Sequence, residues 1–102
     1  MHRSGCDPDA MTERDFLCDF CGRDWPTAQP FVEGHHGSCI CGDCLRMACT
    51  GEGGATGGFK CTLCLEPRED LALAAGAAHL CRRCREQSAR TLERDPSSGW
   101  RR

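Results

Sequence analysis

The sequence predicts a small α+β protein stabilised by metal: two tandem four-cysteine units, each a knuckle turn, a short hairpin and a short helix. Three observations predict it. Cysteine is abundant, with 11 in 102 residues. Eight of these fall into four Cys-x2-Cys pairs, and the pairs form two copies of one pattern. Large apolar side chains are few and scattered and tyrosine is absent. A core of that size cannot offset the entropy of ordering the chain, so staples of disulfide or metal are needed.

The elements follow in chain order. Residues 1–15 are charged, contain Pro8 and Gly5, and read as a disordered tail. The first unit, 16–50, opens on Cys18-Asp19-Phe20-Cys21, a knuckle turn. Phe31-Val32-Glu33-Gly34 then starts a short hairpin, with the glycine free to take a positive φ. Ile40-Cys41-Gly42-Asp43-Cys44 closes it and leads into a helix from Asp43 to about Cys49, ending at Gly51. Residues 51–58, Gly-Glu-Gly-Gly-Ala-Thr-Gly-Gly, have the composition of a flexible linker.

The second unit, 59–94, repeats the order. Its knuckle is Cys61-Thr62-Leu63-Cys64, its apolar-then-glycine element Leu73-Ala74-Ala75-Gly76, and its closing motif Leu80-Cys81-Arg82-Arg83-Cys84. The gaps between paired motifs are 19 and 16 residues, a difference expected to fall in loops. The second helix is expected from Arg82 to Arg94, supported by Arg82–Glu86 and Glu86–Arg90 at i,i+4 and stopped by Pro96. Residues 95–102 read as a frayed end.

Two cysteines two residues apart bind one ion from a single turn, and a second such pair completes a tetrahedral shell. One pair alone is weak, because redox motifs share it. Here the paired arrangement occurs twice. The polar segment from Met1 to Phe16 offers no signal peptide, and the apolar run Leu71 to Ala78 is far too short to span a bilayer. A cytoplasmic location is therefore expected, with reduced thiols and metal rather than disulfides. The expectation is two Zn²⁺ per chain. Cys18, Cys21, Cys41 and Cys44 would hold one; Cys61, Cys64, Cys81 and Cys84 would hold the other. Cys39 competes with Cys41 for the first site, but only Cys41 makes the x2 pair with Cys44. Cys49 reads as a small buried apolar residue and Cys6 as incidental.

Several chemistries find no support. His35 and His36 lie between cysteine pairs, as in His-Asn-His nucleases, but the chain has no asparagine and its other histidines, His2 and His79, are misplaced. Four thiolates leave no position for a catalytic water. Phosphate-loop and zinc-deaminase patterns are absent. The chain is expected not to be an enzyme. Its formal charge is -2, and eight thiolates with two divalent ions would take it to -6, a poor start for binding nucleic acid.

The first unit resembles the ClpX-type four-cysteine zinc-binding domain, a treble-clef zinc finger. The resemblance rests on Cys18 to Gly22, Phe31 to Gly34, and Ile40 to Leu45. The second copy is similar but has Leu65 where a glycine follows the knuckle. The resemblance implies tandem treble-clef-like fingers and a module that binds protein partners or substrates as an adaptor. The ATPase that follows that domain in its family has no counterpart here. It also implies pairing of the two fingers across a two-fold seam, within the chain or as a homodimer. Leu45, Met47, Ala48, Ala89 and Leu92 are the expected seam. Two other classes compete. Arg82, Arg83, Arg85, Arg90 and Arg94 suggest a nucleic-acid-binding zinc ribbon or transcription accessory. Cys39 beside Cys41 suggests a redox or zinc sensor. Trp25 and Phe31 read as hairpin packing or as an exposed anchor for a partner, and Trp100 as incidental.

Overall fold

A computed structural model describes Gly5, Ala10, residues 12–51 and residues 55–102. Glu13–Asp15 forms a 3-10 turn closed by Thr12, whose amide donates to the Asp15 carboxylate at 2.9 Å. The expected disordered tail otherwise lies mainly outside the described residues, as does Cys6.

The first copy holds a helical turn α1 (Trp25–Ala28), strands β1 (Phe31–Glu33) and β2 (Cys39–Cys41), and helix α2 (Gly42–Thr50). Asp24 caps α1 by accepting from the Thr27 amide at 3.1 Å, and Pro26 sits in its first turn, where no amide is needed. β1 and β2 pair antiparallel, with Phe31 opposite Cys41 and Val32 opposite Ile40. The second copy holds β3 (Ala55–Lys60), β4 (Pro67–Ala75), β5 (Ala78–Cys81) and α3 (Arg82–Arg94). These strands form one antiparallel sheet in the order β3-β4-β5. In both copies the last strand runs straight into the helix at the third cysteine, so strand and helix together place two of the four sulfurs.

Three sequence expectations are corrected. The glycine-rich linker expected over 51–58 turns into strand from Ala55, while residues 52–54 lie outside the described residues. β3 finds a partner in the edge of β4, and its pairing is irregular between Ala55 and Phe59, where Gly58 takes φ 87°. Glycine accommodates such a bulge, so its presence marked the irregularity rather than a lack of structure. The frayed end expected over 95–102 instead packs on the body. Trp100 is buried, and its indole Nε1 donates to the Gly42 carbonyl at 2.8 Å. Arg102 bonds Glu86 at 3.1 Å and Glu93 at 3.2 Å. The Glu86–Arg90 pair expected on α3 is replaced by these contacts, since Arg90 makes no ion pair among the described residues.

One buried cluster joins both copies. Ile40, Leu45 and Ala48 of the first meet Leu80, Ala89 and Leu92 of the second, with Trp100 closing one side. Four of the five seam residues are thus buried, but Met47 is 55% exposed on the far face of α2. The hairpin of the first copy also lies against the knuckle of the second. The His35 amide donates to the Leu63 carbonyl at 2.9 Å. A Cβ on Gly34 would come within 2.8 Å of that oxygen, so only glycine permits the approach. Among the described residues no helix is long and apolar enough to cross a membrane.

Candidate metal centres

Each knuckle is a turn closed by the same backbone bonds. In the first, the Cys18 amide donates to Arg23 O at 2.9 Å and the Gly22 amide to Cys18 O at 2.8 Å. In the second, Cys61 donates to Glu66 O at 3.0 Å and Leu65 to Cys61 O at 2.9 Å. The turn needs a left-handed residue after the second cysteine. Gly22 supplies it at φ 78°, and Leu65 is forced into it at φ 60°. A branched side chain there costs about 1–2 kcal/mol.

The knuckle is then tied to the returning strand. The Asp19 amide donates to Cys39 O at 3.0 Å, while the Asp19 carboxylate accepts from the Cys39 amide at 2.7 Å. Thr62 and His79 repeat the exchange at 2.7 and 2.9 Å, with the threonine hydroxyl in place of the carboxylate. These ties hold Cys41 and Cys81 over the knuckle cysteines.

The structure accordingly gathers Cys18, Cys21, Cys41 and Cys44 into one cluster and Cys61, Cys64, Cys81 and Cys84 into another, with the sulfurs of each within 4.8 Å of one another. Sulfur separations are 3.9 Å for Cys18–Cys44, 3.7 Å for Cys21–Cys41 and 3.7 Å for Cys61–Cys84. A regular tetrahedron of sulfurs about 2.3 Å from a central ion has an edge of about 3.8 Å. The clusters therefore fit a four-coordinate metal ion with little adjustment.

Electrostatics point the same way. The Cys18 thiol is drawn down to about 4, chiefly by hydrogen bonding with Cys41 and against the effect of burial; amides of Phe20 and Cys41 also point at its sulfur, at 3.4 and 3.3 Å. Cys61 falls to about 4 in the same way, through Cys84 and through backbone donors that include the Cys81 amide at 3.5 Å. The partners move up. Cys41 and Cys84 are raised by sharing a proton with that thiolate and by burial, Cys81 by burial, and Cys44 is pushed by burial to about 12. Four anions this close repel one another, and a divalent cation among them would let all four ionise.

The other candidates fall elsewhere. Cys39 is buried outside the cluster, with its sulfur 3.5 Å from Gly37 O, in a cleft of about 240 Å³ shared with Phe16, Trp25, Phe31 and Glu33. Cys49 is half-buried on α2. His35 is exposed in a 3-10 turn, and His79 stacks on Phe59 with centroids 5.8 Å apart. Two arginines that the sequence did not single out lie on the clusters. Arg23 Nε donates to Cys21 Sγ at 3.3 Å and Arg23 Nη2 approaches Cys41 Sγ at 3.6 Å. Arg68 lies near Cys64, whose sulfur holds the guanidinium above its usual range. They stand two and four residues after their cysteines, so no common spacing announced them.

Compared with known proteins, the chain matches no family model, no curated protein and no solved structure.

Proposed function

We propose that the chain is a non-enzymatic protein-recognition module whose two four-thiolate sites hold structural Zn²⁺, in the manner of the ClpX-type treble-clef domain that its motifs resemble. Zinc suits a closed shell of four thiolates, and such a shell has no open position for a substrate or a water. The order knuckle, hairpin, helix in each copy supports the treble-clef reading. The shared core supports docking of the two fingers within one chain. Eight thiols gathered in metal-binding fours suit a reducing compartment such as the cytoplasm.

The observation that carries the recognition role is an aromatic ledge on the first copy. Trp25 stacks on Phe31 with centroids 6.1 Å apart and meets Phe16 edge-on at 6.0 Å, while remaining 36% exposed. A tryptophan held rigid at the surface loses little entropy on binding, which is why such residues anchor interfaces. The test is capture from nuclease-treated lysate on zinc-loaded protein, comparing Trp25→Ala with Met47→Ala. Partners lost with the first substitution and kept with the second support the ledge. Equal capture by all forms sinks it.

A second reading, nucleic-acid binding, has its own observation. Arg83, Gln87, Arg90 and Arg94 are exposed and fall within an arc of about 60° on α3 over a length of about 16 Å. The three arginines make no ion pair among the described residues, because Arg85 and Arg102 take Glu86 and Arg102 takes Glu93. A salt-dependent gel shift abolished by changing all three to glutamine would move the assignment to this class.

A further inference from the structure

The two clusters differ in what covers their sulfurs. Six of the eight cysteines are buried, Cys64 is half-buried, and Cys21 is exposed. In each copy the most exposed of the four cysteines is the second of the knuckle; Arg23 Nε donates to that sulfur in the first copy at 3.3 Å, and in the second copy Cys64 holds the Arg68 guanidinium above its usual range. Over the first cluster the guanidinium is itself open to water, 41% exposed, and is moored to α2 by a 3.1 Å bond to Asp43. Over the second, Arg68 is half-buried, with its Nε enclosed and without a hydrogen-bond partner among the described residues.

Four thiolates around a divalent ion carry a net charge of about -2. A guanidinium beside them offsets part of that charge, and its N–H group occupies a sulfur lone pair that a competing acid or electrophile would use. Contacts of this outer kind alter metal affinity by about 10–100-fold when removed. A closed shell exchanges its ion only where one sulfur can yield. A competing chelator would enter at the sulfur most open to solvent, and the cation beside that sulfur would decide how readily it yields.

Resting on the two-site reading above, we propose that Cys21 is the point of metal exchange, that Arg23 is its gate, and that the first cluster gives up its ion faster than the second. Asp43 positions the gate. Cys64 is less exposed than Cys21 and Arg68 is half-buried with its Nε enclosed, so water reaches the second cluster less, which keeps it slow.

The test uses the full chain loaded with zinc. Its metal content is measured first, and the protein is then mixed with excess pyridylazoresorcinol while release is followed by absorbance. Two phases of equal amplitude are expected. Arg23→Gln should speed the fast phase by about 10–100-fold and leave the slow one alone. Arg23→Lys should fall between, since an ammonium keeps the charge but not the fork. Arg46→Gln, which loses a bond to Asp43 at 3.4 Å but has no hydrogen bond to a cluster sulfur, should leave both phases unchanged. In parallel, iodoacetamide should label Cys21 before any other cluster cysteine, as read by peptide mass. Unchanged release in Arg23→Gln, or labelling of Cys64 first, overturns the proposal while the two-site reading stands. Fewer than two zinc ions in the starting protein overturns both.

Discussion

After its knuckle the first copy has Gly22 at φ 78°, and the second has Leu65 at φ 60°. Backbone conformation is kept at a site where the side chains have nothing in common. The same holds for Asp19 and Thr62, whose side chains differ but whose bonds to the returning strand match. Between knuckle and hairpin the copies part. Cys21 and Phe31 are ten positions apart, Cys64 and Leu71 only seven. The first copy spends the extra length on α1, while the second runs directly into β4 and adds β3 beside it. Both hairpins then span equal lengths, Phe31 to Cys41 and Leu71 to Cys81, so the difference in gap lies wholly before them. The four-sulfur shell thus dictates the turn and the strand-to-helix junction, and leaves the rest to local packing.

Removing what the copies share should have the largest effect. Chelating the metal should unfold both, because a structural zinc site contributes on the order of 10 kcal/mol. Circular dichroism before and after excess chelator checks this, and retention of the helical signal would refute it. Among single ligands, Cys41→Ser should lose the first ion, whereas Cys39→Ser should keep two, read by elemental analysis.

The strap across the two copies comes next. Trp100→Ala removes a buried indole and its hydrogen bond to the Gly42 carbonyl, a loss of about 3–5 kcal/mol. Gly42→Ala attacks the same contact from the other side. Its Cβ would lie 2.7 Å from the Trp100 ring and 3.0 Å from Pro30, so about 1–3 kcal/mol of overpacking is expected. Arg82 occupies the equivalent position in the second copy, so the strap breaks the symmetry of the repeat. Denaturant melts of both variants against wild type measure these losses.

Gly34→Ala tests the contact between hairpin and second knuckle. The added carbon would sit 2.8 Å from Leu63 O and 2.9 Å from Leu63 Cα, both backbone atoms that cannot swing aside. A loss of about 1–3 kcal/mol is expected, with both metals retained.

The smallest effects are expected at the residue that follows each knuckle. Leu65→Asn places a residue tolerant of the left-handed region in the strained turn and should stabilise by about 0.5–1 kcal/mol. Gly22→Ala, in the unstrained copy, should destabilise by about 1 kcal/mol. Opposite signs in chemical denaturation would show that the turn, not the side chain, is what the copies have in common.

Spacing along the chain and local turn and helix preferences were enough to mark the eight clustered cysteines, the duplication and the span of α3. The sequence also favoured Cys41 over Cys39, and the structure places only Cys41 in the cluster. What it left open was decided by contacts between distant residues. Trp100 meets Gly42 across 58 positions, and a terminal segment rich in Ser, Pro and Gly carries no periodicity to announce such a contact. β3 becomes a strand because β4 offers it an unpaired edge, against the glycine composition of its own segment. Arg23 closes its own knuckle, at the place Glu66 holds in the second copy, whereas Arg68 lies beyond the knuckle on β4, so the repeat gives them no common position. Burial of Leu45, Ala48, Ala89 and Leu92 in one core, with Met47 outside it, follows from how α2 rolls against α3. Pattern along a short helix marks apolar residues, but only the neighbouring helix selects which of them face inward.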